Sequence, residues 1–154
     1  MTLEVDVQLA VDAPGLPSEA AVRAWANAAW QGTDDRADVV VRITDQDESR
    51  RLNLEFRGMD KPTNVLSFPF DPVPEIDLHH VGDLVICAPV VVSEAREQGK
   101  PVAAHWAHMV VHGMLHLQGF DHVEPRAADE MEALETLILT QMGYPAPYPD
   151  DNET

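Results

Sequence analysis

The sequence predicts an α+β fold, a small mixed sheet of about four strands packed with helices, within one domain over residues 1–154. Three observations predict it. Short alternating or β-branched runs recur at 5–9, 39–43, 65–70 and 84–90. Segments with apolar residues at helical spacing lie between and after these runs, and Gly and Pro separate the two kinds. The length of 154 residues and the 45% hydrophobic content suit a single core. A chain of this size buries roughly 70% of the surface its unfolded form exposes, so neither a disulfide nor a metal is needed as a staple.

Taken in order, Val5, Val7 and Leu9 alternate as a half-buried strand, ended by Pro14, Gly15 and Pro17. Ser18 then caps a helix whose buried stripe is Val22, Trp25, Ala26, Ala29 and Trp30, running to Gly32. Residues 39–43 form a second strand. From about Asp45 a short helix follows, with Leu52, Glu55 and Phe56 near one face, and Gly58 and Pro62 end it. VLSFPF (65–70) is a strand, and because Pro69 removes a ladder donor the strand or its end belongs at a sheet edge. DPVPEIDLHH (71–80) is an acidic, proline-rich loop. LVICAPV (84–90) is a strand running into a helix through about Gln98, and Gly99 and Pro101 divide that helix from the next. A last helix spans about 125–142 with Met131, Leu134, Leu137 and Ile138 on its buried stripe, and the acidic tail 145–154 is expected to be flexible.

Composition narrows the function classes. Cys87 is the single cysteine, which excludes an intramolecular disulfide and any multi-cysteine zinc site. Glu4 and Asp6 stand where a secretory signal carries basic residues, and no segment has the length of a membrane span, so a cytoplasmic protein without membrane contact is expected. The net charge of −17 disfavours nonspecific adhesion to nucleic acid. Arg50, Arg51, Arg57 and Lys61 form the one short basic stretch, and Asp47, Glu48 and Glu55 balance it on the same helix.

Five of the seven histidines fall within HWAHMVVHGMLHLQGFDH (105–122). His112 and His116 are four apart, so on a helix they sit about 40° apart in projection and one turn apart along the axis. Gly119 can take the left-handed conformation that ends a helix, letting the chain turn back so that His122 approaches the same point. Three imidazoles converging in this way form a zinc-type site with an open fourth position for water. His105, roughly 16 Å from His116 along a helix, cannot join that set, and His105 and His108 are expected to support or pack around it. The spacing HxxxHxxGxxH matches the metzincin ligand pattern, but position 113 is Gly where those peptidases carry their glutamate base. A standard zinc peptidase is therefore disfavoured.

The motifs LNLEFRGMDKPTNVLSFPF (52–70), GDLVIC (82–87), VHGMLHLQGFDH (111–122) and EMEALETLILTQMGY (130–144) cover most of the chain, and together they resemble the YbeY family of bacterial proteins. That family is described as zinc-dependent endoribonucleases and ribosomal RNA maturation factors. The resemblance implies a zincin-like arrangement, one zinc ion on His112, His116 and His122, and a functional role for Arg57, whose planar guanidinium suits phosphate oxygens. It also implies single-strand-specific cleavage of RNA in 16S rRNA 3′-end maturation and ribosome quality control, with small-subunit ribosomal proteins and an Era-type GTPase as partners. Asn64 departs from the aspartate usual after PT, and Phe120 from the common tyrosine. Without the resemblance, Arg57 equally suits a helix C-terminal cap or a pair with Asp60. Asp83 and Asp121 flank the motifs and can either orient imidazoles or serve hydration and loop capping. Two alternatives stand beside the nuclease: a zinc hydrolase of a peptide or amide, and a non-enzymatic ribosome-assembly factor with structural zinc.

Overall fold

The computed structural model describes residues 3–32, 37–69, 79–120 and 124–148. Four strands form one mixed sheet: β1 (Glu4–Leu9), β2 (Asp38–Thr44), β3 (Val65–Pro69) and β4 (His80–Cys87). Their spatial order is β1-β2-β4-β3. β1 pairs parallel with β2 and β2 parallel with β4, whereas β3 runs antiparallel to β4. Parallel neighbours need a crossover, and α1 (Glu19–Ala29) supplies the first, while α2 (Gln46–Arg57) and β3 fill the second. Then follow α3 (Ala88–Gln98), α4 (Val102–Leu117) and α5 (Pro125–Gln141). The α+β architecture is thus the expected one, and β3, which ends on Pro69, takes the sheet edge.

Alternation along β2 decides which face is covered. Val39, Val41 and Ile43 are fully buried with Leu84 and Ile86 of β4, while Val40 and Arg42 point to the more open face. Arg42 is held there by a bidentate pair with Glu48 of α2 and a bond to Gln8 of β1. Over the buried face lies α4, which is enclosed on nearly every side by the sheet, α1, α3 and α5. A helix apolar all round belongs at the centre of a domain, and this one carries the histidines.

Three local readings differ from expectation. β4 begins at His80 and ends at Cys87, not at 84 and 90, because as an inner strand it is paired on both sides: Gly82 opposes Val39 on β2 and Pro69 on β3. Of the loop expected at 71–80, the positions through 78 lie outside the described residues. On α2 the buried positions are Ser49 and Asn53, not the face of Leu52, Glu55 and Phe56, and Phe56 is 60% exposed. Ser49 Oγ donates to the Thr63 carbonyl and accepts from the Thr63 amide, and Asn53 donates to the Lys61 carbonyl, so these polar side chains satisfy the backbone of the turn leading to β3. On α5, Leu137 is 52% exposed and Glu135 occupies the buried stripe between Met131 and Ile138.

Candidate metal centre

α4 ends as the spacing predicts. Gly119 takes φ 97°, with bonds from its amide to the His116 carbonyl (3.0 Å) and from the Phe120 amide to the Leu115 carbonyl (3.0 Å). This is a Schellman ending, which glycine reaches without a Cβ penalty. Asp121 and His122 lie outside the described residues, so the third proposed ligand and one candidate supporting carboxylate are not located.

His112 and His116 stand one turn apart on α4, their ring centroids 4.7 Å apart and edge to face. Both line a polar cleft of about 330 Å³ together with Arg57, Thr63, Asn64, Val65 and Ser67. Arg57 is the last residue of α2, set by the left-handed cap at Gly58 and by the Ser49 and Asn53 clamps on the following turn. Asp60 is not its partner: that carboxylate takes a bidentate pair from Arg50, at 2.6 and 3.1 Å. Among the described residues no carboxylate pairs with Arg57.

Behind the two histidines lies a second layer that the sequence reading missed. Glu135, 0% exposed, receives His112 Nδ1 on one oxygen at 2.6 Å, and His108 Nε2 (2.9 Å) and the Tyr148 hydroxyl (2.6 Å) on the other. Burial pushes this carboxyl upward, but the donors His108, His112 and Tyr148 outweigh it and bring its pKa down to about 2. Glu135 is therefore an ionised acceptor, so His112 must carry its proton on Nδ1 and His108 on Nε2. Burial together with the neighbouring carboxylate pushes the Tyr148 hydroxyl far upward, so it keeps the proton it donates. The signal available in the sequence was a glutamate inside an apolar stripe, at helical spacing from Met131 and Ile138.

A parallel network runs from the cleft on the other side. Asn64 donates through Nδ2 to both Glu94 oxygens, at 3.1 and 3.3 Å, and accepts the Val65 amide on Oδ1 at 2.6 Å. Glu94 in turn receives buried His105 at 2.9 Å. An aspartate at 64 would set two carboxylates against each other, so the amide at this departure fits the carboxylate beside it. His105 and His108 are both buried and held by glutamates, away from the cleft lining. Asp83 does orient an imidazole, that of His80 at 2.9 Å, on the far end of β4 rather than at the cleft.

His108, His112 and Glu135 bring ligand atoms within 4.8 Å of one another, a group that can hold a metal ion. Its distances also have a second meaning. Ligand atoms sharing a tetrahedral zinc at 2.0–2.1 Å stand roughly 3.3 Å apart, so separations of 2.6 and 2.9 Å are those of hydrogen bonds. A carboxylate bonded to one nitrogen of a histidine is the usual support for a metal on the other nitrogen. The donors gathered here can thus hold a metal ion, and the Glu135 contact suits support of a metal on the other nitrogen of His112.

The fold and site define a small α+β protein with a group of side chains able to hold a metal ion beside a polar, arginine-bearing cleft. The family model described as "Endoribonuclease YbeY" matches residues 15–143, and the chain belongs to that family. It is a family of RNA-cleaving hydrolases that act in ribosomal RNA maturation. Among solved structures, the chain is similar to the solution structure of TM1509 from Thermotoga maritima, with 25% identity over 96% of this chain and 99% of that one, and a TM-score of 0.56. No helix among the described residues is long and apolar enough to cross a membrane.

Proposed function

We propose that this protein is a zinc-dependent, single-strand-directed endoribonuclease of 16S rRNA 3′-end maturation and ribosome quality control. His112, His116 and His122 hold one ion, and Arg57 meets the scissile phosphate. The observation that carries the reading is the convergence of Arg57, His112 and His116 on one cleft in a chain of this family. When bound, the ion supplies Lewis acidity and lowers the pKa of water toward neutrality. Arg57 presents a planar fork to two phosphate oxygens and offsets the charge that builds on them during cleavage. Glu135 fixes the His112 ring, and Asn64, tied to Glu94, fixes the wall opposite.

Charge sets how substrate is reached. With a net charge of −17 and Arg50 already paired, the chain offers little to the phosphates of free RNA. Partners on the ribosome, small-subunit proteins and an Era-type GTPase, supply the docking that this surface lacks. Cleavage of a ribosome-derived RNA by metal-depleted and zinc-restored protein, with and without small subunits, tests the reading. Activity independent of both zinc and subunits would sink it.

A peptide or amide hydrolase is the weaker reading, and a specific observation weighs against it. A Cβ built at Gly113 comes within 2.8 Å of Leu84 and 3.2 Å of Val65, so a glutamate at the helix position that carries the metzincin base would have to displace the buried Leu84 side chain.

A further inference from the structure

We infer that Tyr148, Glu135 and His112 form a positioning relay through which the C-terminal segment governs how tightly the metal is held. The inference rests on the assignment of His112 as a ligand. Glu135 is not itself part of the cleft lining and meets it only through His112, at 2.6 Å, yet it is wholly enclosed. A carboxylate in that position costs several kcal/mol unless each oxygen is matched by donors. Here both are matched, and one of the three donors is His112.

The chemistry of that contact is directional. A carboxylate oxygen 2.6 Å from Nδ1 favours the His112 tautomer with hydrogen on that nitrogen, which puts the lone pair on Nε2, the nitrogen a metal at the cleft requires. It also stops rotation of the ring about its Cβ–Cγ bond. Glu135 is therefore a positioning residue, acting on the ion only through His112.

Tyr148 brings the segment after α5 into the same network. Past α5 the chain turns back, and three contacts hold it down. The Tyr144 amide bonds the Leu139 carbonyl (3.0 Å), the Tyr144 hydroxyl accepts Trp25 Nε1 (3.1 Å), and the Pro147 carbonyl accepts Lys100 Nζ (3.3 Å). Pro147 is buried, and Tyr148 then reaches Glu135 with its hydroxyl while its ring stands edge-on to His108, centroids 5.3 Å apart. Removing the hydroxyl leaves one Glu135 oxygen with His108 alone, so the carboxylate is held less firmly and His112 with it.

Zinc affinity of the full chain, measured by competition with a chromophoric chelator, tests the relay alongside ¹⁵N shifts of the His112 ring in metal-free protein. Glu135→Gln should weaken zinc about 10- to 100-fold, and Tyr148→Phe about three- to tenfold, a fraction of one charge-assisted hydrogen bond. The wild-type ring should report hydrogen on Nδ1, and Glu135→Gln should shift it toward a mixture of tautomers, which a purely structural role would not do. If Glu135→Gln does not fold, Tyr148→Phe decides: wild-type affinity with an unchanged His112 ring overturns the relay. Should both variants bind normally while His112→Ala loses zinc, the relay fails and the ligand assignment stands. Retention of zinc by His112→Ala would instead remove the assignment itself. Loss on His108→Ala with retention on His116→Ala would make Glu135 a direct ligand and overturn the relay in its favour.

Discussion

A Cβ on Gly113 would stand 2.8 Å from Cδ2 of Leu84, closer than real Cβ contacts come. α4 lies this near the sheet because residue 113 has no side chain, and the closeness brings His112 and His116 to the same wall as Val65 and Ser67 of β3. Leu84 is fully buried and cannot swing aside freely. Gly113→Ala should therefore lower stability by about 1 kcal/mol, an overpacking cost of roughly 1–3 kcal/mol less the helix-propensity gain of alanine over glycine. Gly113→Glu should cost more, since it adds a carboxylate among Leu84 and Val65. Urea unfolding of both variants measures this, and an alanine variant more stable than wild type would show that the approach is not tight.

One divalent ion per chain is expected, and its retention should follow the proposed ligands. His112→Ala and His116→Ala should lose metal on dialysis against a mild chelator, whereas His105→Ala, whose ring is tied to Glu94, should keep it. Affinity should fall steeply as pH drops through the histidine range around 6.5, because a protonated imidazole has no lone pair to donate. A binding curve flat from about pH 7 to pH 5 would point to carboxylate ligands instead.

Arg57→Ala should reduce RNA cleavage about a hundredfold or more, the scale of losing one transition-state charge stabiliser, with metal content and fold unchanged. Lysine should restore little, since a point charge does not reproduce the fork. Single-turnover assays at saturating protein separate this from weaker binding. A loss confined to binding would make Arg57 a positioning contact, and a wild-type rate would end its role in the reaction.

Two histidines outside the cleft should bend the stability curve in opposite directions. His80 loses charge preference to burial, but Asp38 (2.5 Å) and Asp83 (2.9 Å) more than restore it and the net shift is upward. Its contribution is therefore complete below the unfolded value of about 6.5 and is lost as pH rises through the folded one. His105 is shifted down, burial outweighing its bond to Glu94, so its contribution is complete above about 6.5 and is lost as pH falls below it. Thermal melts across pH 5–9 should show His80→Gln flattening the alkaline side and His105→Gln the acid side. Identical changes in both variants would contradict the assignment of charge states.

Local chemistry was legible wherever a residue's neighbours along the chain decide its role. Ser18 accepts the Ala21 amide as an N-cap, Gly58 and Gly119 close their helices with positive φ, and Pro69 ends an edge strand, each for reasons carried by a few adjacent residues. The four-residue spacing of His112 and His116 likewise follows from helical pitch alone. Where distance along the chain is large, the sequence was silent or misleading. Leu137 lies outside the buried stripe expected for it and Glu135 lies within it, because a carboxylate enters an apolar stripe only when donors from other elements meet it, and those donors come from α4 and from the C-terminal segment. Ser49 and Asn53 are buried on α2 because the turn before β3 needs hydrogen-bond partners, which no helical pattern announces. Residue types, caps and spacing thus determined the elements and named His112 and His116, and the family resemblance added Arg57. Only tertiary packing decided that they share a cleft and which carboxylates stand behind it, because burial makes a polar group's role depend on partners that the chain brings together only on folding.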